Sequence, residues 1–164
     1  MQLTVIMYNI AMDKLSGIRL KPYEASFAET IKDIYKAGNP SKMNPLRTHT
    51  IYRGKNPVGI IGFKPYEGEP PSGFVAIHEK YRGQNVLPRA YDKLMKKHDF
   101  DAIRASIAHS NKASMKSHKG AGFKELSENE YQKLRERGRL GIATEGTRLE
   151  KRSSLLIQLS KIIK

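Results

Sequence analysis

The chain has 164 residues, with 30 Lys and Arg against 16 Asp and Glu, a formal net charge of +14 and no cysteine. This length suits one compact domain, because domains most often contain about 100 to 150 residues. The absence of cysteine excludes disulfide scaffolds, thiolate zinc sites and cysteine nucleophiles. The first apolar run is interrupted by Thr4, Tyr8 and Asn9, and it is too short and polar for a signal peptide or a membrane span. We expect a cytoplasmic protein without a membrane partner.

The positive charge is spread along the chain. Residues 1–78 contain ten basic and six acidic residues, residues 79–119 contain ten and four, and residues 120–164 contain ten and six. A dispersed excess favours polyanionic partners, among them nucleic acid and phosphorylated cofactors. A basic surface that serves only solubility is the alternative.

Apolar spacing predicts a strand and then a helix in the first part of the chain. Apolar and polar residues alternate over 18–20, as they do in a short strand. The helix that follows ends at the Ala-Gly-Asn-Pro stretch 37–40. Its apolar face has the spacing i, i+4, i+7 and i+8: Phe27, Ile31, Ile34 and Tyr35.

A hairpin is predicted next. Strand-like runs at 48–53 and 58–63 flank residues 54–57, which predicts a four-residue turn. The Gly- and Pro-rich stretch 65–73 predicts a connection to a third strand at 74–77. Strands joined by a tight turn are antiparallel, so this part of the sheet is expected to be antiparallel.

The central part of the chain alternates between strand and helix. After the third strand, a turn opens into a helix with Pro88 in its first turn, and a strand at 102–108 follows. Asn111 begins a second helix that ends near Gly120. The apolar face of the first helix contains Leu87, Ala90, Tyr91, Leu94 and Met95. This order implies parallel neighbouring strands, and with the hairpin it predicts a mixed sheet.

The last part of the chain contains three further signals. Ser127 and Glu130 have the spacing of a capping box, which predicts a short helix that ends near Arg137. Residues 147–151 are consistent with a last strand. The apolar segment 153–164 predicts a final helix that either packs on its own protomer or forms a homodimer.

The turn at 82–87 is a candidate phosphate site. It lies between a strand and a helix, where unpaired N–H groups and the helix dipole favour an anion. Arg82 adds a cation, Gly83 allows a ligand to approach the backbone, and Asn85 tolerates a left-handed conformation. An Arg-Gly pair before a helix is also common in turns that bind no ligand, and such a turn is the alternative interpretation.

Two motifs resemble those of the GCN5-related N-acetyltransferases (the GNAT family), which transfer an acetyl group from acetyl-coenzyme A to an amine. The segment from Val75 to Gly83 looks like the family's fourth strand leading into its pyrophosphate loop, R/Q-x-x-G-x-G/A. Arg82 takes the first position, whereas Asn85 and Leu87 stand where the family has Gly and Gly or Ala. The second motif is similar to N-x-x-A/S-x-x-x-Y-x-x-x-G-F with every spacing kept: Asn111, Ser114, His118, Gly122 and Phe123.

The resemblance implies a fold and a domain organisation. The fold is the α/β (α+β) GNAT fold, a mixed central β-sheet with splayed parallel strands four and five, flanked by helices. The domain is a single N-acetyltransferase domain over residues 1–164, with a core at about 18–151 and an additional C-terminal helix at about 153–164.

The resemblance also assigns residues to acetyl-coenzyme A. The backbone of Val75, Ala76 and Ile77 is expected to pair with the pantetheine amides as another strand would. The other implied contacts are those of the pyrophosphate loop, Arg82, Gly83, Gln84, Asn85, Val86 and Leu87, and those of the next helix, Asn111 and Ser114. A simple helix cap is the alternative role of Asn111.

The implied reaction is direct attack of a primary amine on the thioester within a ternary complex. Family members commonly use a Tyr to protonate the leaving thiolate, and His118 occupies the matching position. An imidazole with a pKa of about 6.5 gives up a proton at neutral pH more readily than a phenol with a pKa of about 10. His118 is therefore the candidate general acid, and the alternative is that it fills space or contacts coenzyme A.

No general base is distinguished by its spacing. The candidates near the expected acceptor side are Glu67, Glu69, His78, Glu79 and His109. The family often has a structural histidine at the position of His78. Ser106 and Ser110 lack the His and Asp pattern of an activated nucleophile, and the five histidines form no HExxH pattern, so no metal site is expected.

The acceptor is a small molecule or a macromolecule that carries a primary amine. The net charge favours a nucleic-acid-associated acceptor, such as an aminoacyl-tRNA or a protein. A polyamine is repelled by a basic surface, unless Glu67 and Glu69 make the acceptor pocket acidic. The rival hypothesis is a catalytically weak or inactive module of the same fold that binds nucleic acid or a protein partner, and Leu87 and His118 are the departures that support it.

Overall fold

The computed structural model describes residues 17–30, 43–137 and 146–152. Their contacts divide them into two compact units. The first unit lies within Met1–Ile61 and Val75–Lys93, and the second within Gly62–Phe74 and Leu94–Lys164. The prediction of one domain over the whole chain stays a prediction, and the predicted final helix lies outside the described residues.

Apart from the short strand β6, the strands and helices follow one another in the order expected from the sequence. They are β1 Ile18–Pro22, α1 Ala25–Thr30, β2 Thr48–Arg53, β3 Asn56–Tyr66, β4 Glu69–Ile77, a 3-10 turn Glu79–Tyr81, α2 Val86–His98, β5 Ala102–Ala108, α3 Lys112–Gly120, β6 Lys124–Glu125, α4 Glu128–Glu136 and β7 Gly146–Arg152. The strands are hydrogen-bonded in the order β1-β2-β3-β4-β5-β7-β6. Strands β1 and β2 are antiparallel and β4 and β5 are parallel, so the predicted mixed α/β sheet is confirmed.

The core of the first unit is formed by α1 with the strands beside it. Ala28, Ile60 and Ala76 form a buried cluster, against which Tyr23 and Phe27 pack. The helix predicted over Phe27 and Tyr35 is described as far as Thr30, and its remaining predicted residues lie outside the described part. On the predicted apolar face of helix α2, Ala90, Tyr91, Leu94 and Met95 are buried and Leu87 is half-buried.

The predicted turn at 54–57 is wrong in length. Strand β3 begins at Asn56, so the hairpin between β2 and β3 closes through two residues, Gly54 and Lys55. Gly54 has a φ of 62°. A positive φ at the first turn position is what lets a two-residue turn match the twist of its strands, and glycine takes it without strain.

The predicted connection at 65–73 is also wrong. Strands β3 and β4 continue through this stretch and are joined by Glu67 and Gly68 alone. Three prolines that suggested a loop lie within the strands: Pro65, Pro70 and Pro71. The fixed φ of proline is compatible with extended backbone, and proline interrupts a strand only where a backbone N–H donor is needed.

In the second unit, β5 alternates as predicted, with Ile103, Ala105 and Ile107 buried. The parallel register joins Ser72 to Arg104 and Gly73 to Ala105. Strand β4 continues beyond this register to Ile77. The C-terminal part of β4 therefore lies past the residues paired with β5.

The capping box before α4 is confirmed. The Ser127 backbone N–H donates to Glu130 Oε2 at 2.9 Å, and the Glu130 N–H lies 3.4 Å from Ser127 Oγ. The predicted last strand is β7, which pairs antiparallel with both β5 and the short strand β6. The sequence pattern did not predict β6. None of the described helices is both long and apolar enough to cross a membrane.

Candidate functional site

The loop between the 3-10 turn and α2 has a left-handed backbone at two positions. Gly83 has a φ of 72° and Asn85 a φ of 60°. Asparagine is among the few non-glycine residues that adopt this conformation readily, so Asn85 preserves the turn where the related motif has glycine. Arg82 Nε donates to the Ile77 carbonyl at 3.1 Å, which ties the loop to the end of β4.

Five consecutive backbone N–H groups, those of residues 83–87, have no hydrogen-bond acceptor among the described residues. Helix geometry explains the last two, because Val86 and Leu87 begin α2 and have no carbonyl one turn before them. Residues 82–85 are exposed and Val86 is buried. The exposed residues 83–85 therefore place N–H groups without acceptors at the positive end of a helix, which suits an anion.

The end of β4 is held against β3. The His78 N–H donates to the Val58 carbonyl at 2.9 Å. A Cβ at Gly59 would overlap the carbonyl oxygen of Ala76, so only glycine allows the observed approach of the two strands. The backbone of residues 75–77 is thus placed by β3 on one side and lies past the register with β5.

One contact at the loop was missed by sequence reasoning. Arg53, the last residue of β2, donates through Nη1 to Gln84 Oε1. Gln84 Nε2 in turn donates to the Lys80 carbonyl at 2.8 Å. Arg53 is followed by a turn glycine and carries no motif, so no signal in the sequence connects it with the loop.

The second motif lies in the second unit, around the start and the core of α3. Asn111 caps the helix, since its Oδ1 accepts from the Ser114 N–H at 3.0 Å. His118 is 4 % exposed, and its ring lies edge-on against that of Phe123, with 5.1 Å between ring centroids. Within the motif, the Asn111 side chain thus contacts the Ser114 backbone, and the His118 side chain contacts that of Phe123.

The surroundings of His118 favour one tautomer of its ring. Its Nδ1 lies 2.9 Å from the Ser114 carbonyl oxygen and 3.3 Å from Ser114 Oγ, and because the carbonyl can only accept, this geometry favours the tautomer with the hydrogen on Nδ1. The neutral ring is then unprotonated at Nε2. Burial lowers the pKa of His118, and the hydrogen bond to Ser114 acts in the opposite direction. The geometry favours the alternative in which His118 is structural, and its role as general acid stays a prediction.

Among the candidate bases, Glu69 is held by two arginines. Its carboxylate accepts from Arg104 Nη1 at 2.7 Å and from Arg137 Nη1 at 2.6 Å, and its side chain is 11 % exposed. The hydrogen bond from Arg104 is the main cause of a lowered pKa of Glu69. A carboxylate with a lowered pKa is a weak base, so Glu69 is poorly suited to accept a proton from an amine.

His78 has a structural position. Its Nδ1 accepts from the Lys80 N–H at 3.3 Å and caps the 3-10 turn. Its ring also lies edge-on to that of Tyr81. In the described ranges, no three His, Asp or Glu side chains are grouped as a metal site requires.

The fold is that of known acetyltransferases. No protein-family model and no curated protein matches the sequence. Among solved structures, a mutant of the spermidine N-acetyltransferase SpeG from Vibrio cholerae matches with a TM-score of 0.60 and 15% identity, over 88% of this chain and 99% of that one. An acetyltransferase of the GNAT family from Staphylococcus aureus matches with a TM-score of 0.55 and 14% identity, over 82% and 98%. The chain therefore has the fold of the GCN5-related N-acetyltransferases.

Proposed function

We propose that the protein is an acetyl-coenzyme A-dependent N-acetyltransferase. The observation that carries this proposal is the row of five N–H groups without acceptors in the described ranges, placed between the end of β4 and the start of α2. In this fold, that is the place at which the pyrophosphate of coenzyme A is expected. The left-handed Gly83 and Asn85 give the loop the required turn.

The donor binds through two kinds of backbone contact. The backbone of Val75, Ala76 and Ile77 pairs with the pantetheine amides, and the N–H groups of residues 83–87 bind the pyrophosphate. Arg82 positions the loop through its bond to the Ile77 carbonyl. Asn111 and Ser114, at the start of α3, are further proposed contacts, and Asn111→Ala tests the first of them.

The reaction is direct transfer in a ternary complex. A neutral primary amine attacks the thioester carbonyl, the C–N bond forms as the C–S bond breaks, and the coenzyme A thiolate takes up a proton. The sequence and the described side chains offer no serine nucleophile in contact with a histidine and an aspartate. A covalent acetyl-enzyme is therefore not part of the proposal.

Acceptors other than polyamines are favoured by the charges around Glu69. The structural neighbours include spermidine N-acetyltransferases, and a polycationic acceptor calls for an acidic pocket. The carboxylate of Glu69 is compensated by Arg104 and Arg137, so this group of three side chains carries a net positive charge. We propose a protein amine or an aminoacyl-tRNA as the acceptor, which agrees with the net charge of +14.

Calorimetry with acetyl-coenzyme A tests the donor, and an acetylation assay tests the acceptor. We expect saturable binding of acetyl-coenzyme A, and transfer to a peptide N-terminus or an aminoacyl-tRNA but not to spermidine. Transfer to spermidine at a comparable rate would contradict the acceptor class while supporting the enzyme.

The second candidate function is a module of this fold without catalytic activity that binds nucleic acid or a protein. Leu87, half-buried at the start of α2, is the observation that favours it, because its side chain stands where the related motif has Gly or Ala. Absence of acetyl-coenzyme A binding together with salt-dependent binding to RNA or DNA would establish this function instead.

Self-association is a further proposal. The solved V. cholerae spermidine N-acetyltransferases include a dodecameric one, and the apolar composition of segment 153–164, which lies outside the described residues, favours association. Sedimentation analysis is expected to give a mass of at least two chains, and a monomer mass at high concentration would exclude it.

A further inference from the structure

Arg53 reaches the phosphate-binding loop from another part of the chain. Its guanidinium donates to Gln84 Oε1 across a separation of 31 residues. Gln84 Nε2 donates to the Lys80 carbonyl at 2.8 Å. The opposite orientation of the Gln84 amide would place donor against donor and acceptor against acceptor, so the orientation is determined by its two partners. Gln84 therefore holds the guanidinium of Arg53 at the loop.

The backbone at Arg53 is anchored as well. Arg53 pairs with Ile18 in the register of β1 and β2. The following residue, Gly54, donates its N–H to the Gly17 carbonyl at 2.9 Å, and its own carbonyl accepts from Arg19 Nη2. A side chain that is already held at both its base and its tip loses little conformational freedom when a ligand binds.

The positive charge of Arg53 is not neutralised by the described part of the protein. Arg53 is exposed, and across residues 17–30, 43–137 and 146–152 no carboxylate forms an ion pair with it. A guanidinium has five N–H donors, so donors remain after the bond to Gln84. The neighbouring loop adds the five N–H groups of residues 83–87. This combination of a delocalised cation and backbone donors is complementary to a phosphate.

We propose that Arg53 binds the pyrophosphate of coenzyme A and that Gln84 is the positioning residue that holds it there. This inference rests on the proposed function. It assigns a binding role to a side chain outside both motifs, at a loop where Asn85 and Leu87 depart from the related pattern. The cation of Arg53 adds to the attraction that the loop exerts through its N–H groups and the dipole of α2.

Isothermal titration of three probes tests the assignment: coenzyme A, dephospho-coenzyme A, which keeps the pyrophosphate but lacks the 3′-phosphate, and pantetheine, which has no phosphate. Arg53→Gln is expected to weaken binding of the first two about tenfold, the size of one lost charge-assisted contact. Binding of pantetheine is expected to stay unchanged. Arg53→Lys keeps the charge without the planar fork and is expected to recover part of the affinity.

Arg47→Gln is the matched control, because Arg47 is also exposed and the change in net charge is the same. It is expected to bind all three probes like the wild type. Gln84→Ala is expected to weaken the binding of coenzyme A less than Arg53→Gln does. The double variant is expected to have the affinity of Arg53→Gln, because the two residues act together.

Three results would overturn the inference. Equal affinities of Arg53→Gln and Arg47→Gln for coenzyme A would show that Arg53 has no specific role. If Arg53→Gln lost affinity for coenzyme A but kept its affinity for dephospho-coenzyme A, Arg53 would bind the 3′-phosphate rather than the pyrophosphate. If Arg53→Gln lost as much affinity for pantetheine as for coenzyme A, the role of Arg53 would be structural. Failure of the wild type to bind coenzyme A is a different result, since it removes the proposed function together with this inference.

Discussion

The two motifs that resemble the GNAT family differ in what their residues do in the structure. The loop at 82–87 departs from the related pattern at two positions, yet its five N–H groups from residue 83 onward have no acceptor in the described part of the chain. The helix motif keeps every spacing, yet two of its polar side chains are bonded to the backbone of Ser114: Asn111 Oδ1 accepts from the Ser114 N–H, and His118 Nδ1 is bonded to the Ser114 carbonyl. Agreement with a motif and availability for a ligand are therefore separate properties.

The difference has a physical origin. A phosphate loop acts through backbone groups, so it needs a backbone conformation rather than particular side chains, and Asn85 reaches that conformation as glycine does. A catalytic side chain acts through its own atoms, and those atoms lose their function when another protein group takes them. The variants below test this comparison, from the largest expected effect to the smallest.

Gly83→Val is expected to have the largest effect. Valine at a φ of 72° strains the backbone by about 1–3 kcal/mol, and the loop relaxes toward a conformation that no longer presents its N–H groups together. Titration calorimetry is expected to show coenzyme A binding weakened by a factor of ten or more, which corresponds to about 1.4 kcal/mol.

Gly68→Val is the matched control for strain. Gly68 also has a positive φ, of 68°, and at both glycines a β-carbon would lie more than 4 Å from every atom outside the adjacent residues. The control is expected to lose similar stability but to keep its coenzyme A affinity. If both variants lost affinity equally, the loop would have no special role.

Asn111→Ala tests whether the cap is the main role of this side chain. Removal of the bond to the Ser114 N–H is expected to lower the free energy of unfolding by about 1 kcal/mol. Asn111→Ser, which keeps a capping oxygen, is expected to recover most of it. Chemical denaturation measures both. A tenfold loss of acetyl-coenzyme A affinity in the alanine variant alone would instead support direct binding.

His118→Phe separates the structural role from general acid catalysis. The variant keeps the ring but loses the bond to the Ser114 carbonyl, which is expected to cost about 1 kcal/mol of stability. The dependence of kcat on pH is expected to remain that of the wild type. Disappearance of an ionisation from the kcat profile would establish His118 as the general acid after all.

The pH dependence of stability gives the smallest effect. Burial lowers the pKa of His118, and burial followed by the charge of Lys97 lowers that of His98. At high pH these histidines are neutral in both states. As the pH falls below about 6.5, the unfolded chain takes up protons first, so the folded state loses stability.

Urea denaturation between about pH 7.5 and 5.5 measures this loss. The slope of the free energy of unfolding against pH is expected to be smaller in His118→Phe than in the wild type. A stability that rose toward acid pH would contradict the burial of His118 as a neutral ring.

Local features of the fold follow from the sequence. The apolar spacing of α2, the alternation of β5 and the capping box of Ser127 and Glu130 were all predictable, because each depends on residues within a few positions of one another. The left-handed turn at Gly83 and Asn85 was predictable for the same reason, and the binding of phosphate there stays a prediction. The lengths of the hairpin turns were not predictable from the sequence. Proline is tolerated in a strand only at positions where its missing N–H is not needed, and those positions depend on how the strands pair.

By itself, the sequence determined the order of the strands and helices other than β6, the mixed sheet and the place of the two motifs, because periodicity and caps are local properties. Only the tertiary structure decided which polar groups are used internally. It showed that Glu69 is compensated by Arg104 and Arg137, that His118 is bonded to Ser114, and that Arg53 lies against Gln84. Such pairings join residues that are distant in sequence or depend on the direction of a side chain, and the folding of the chain alone brings them into contact.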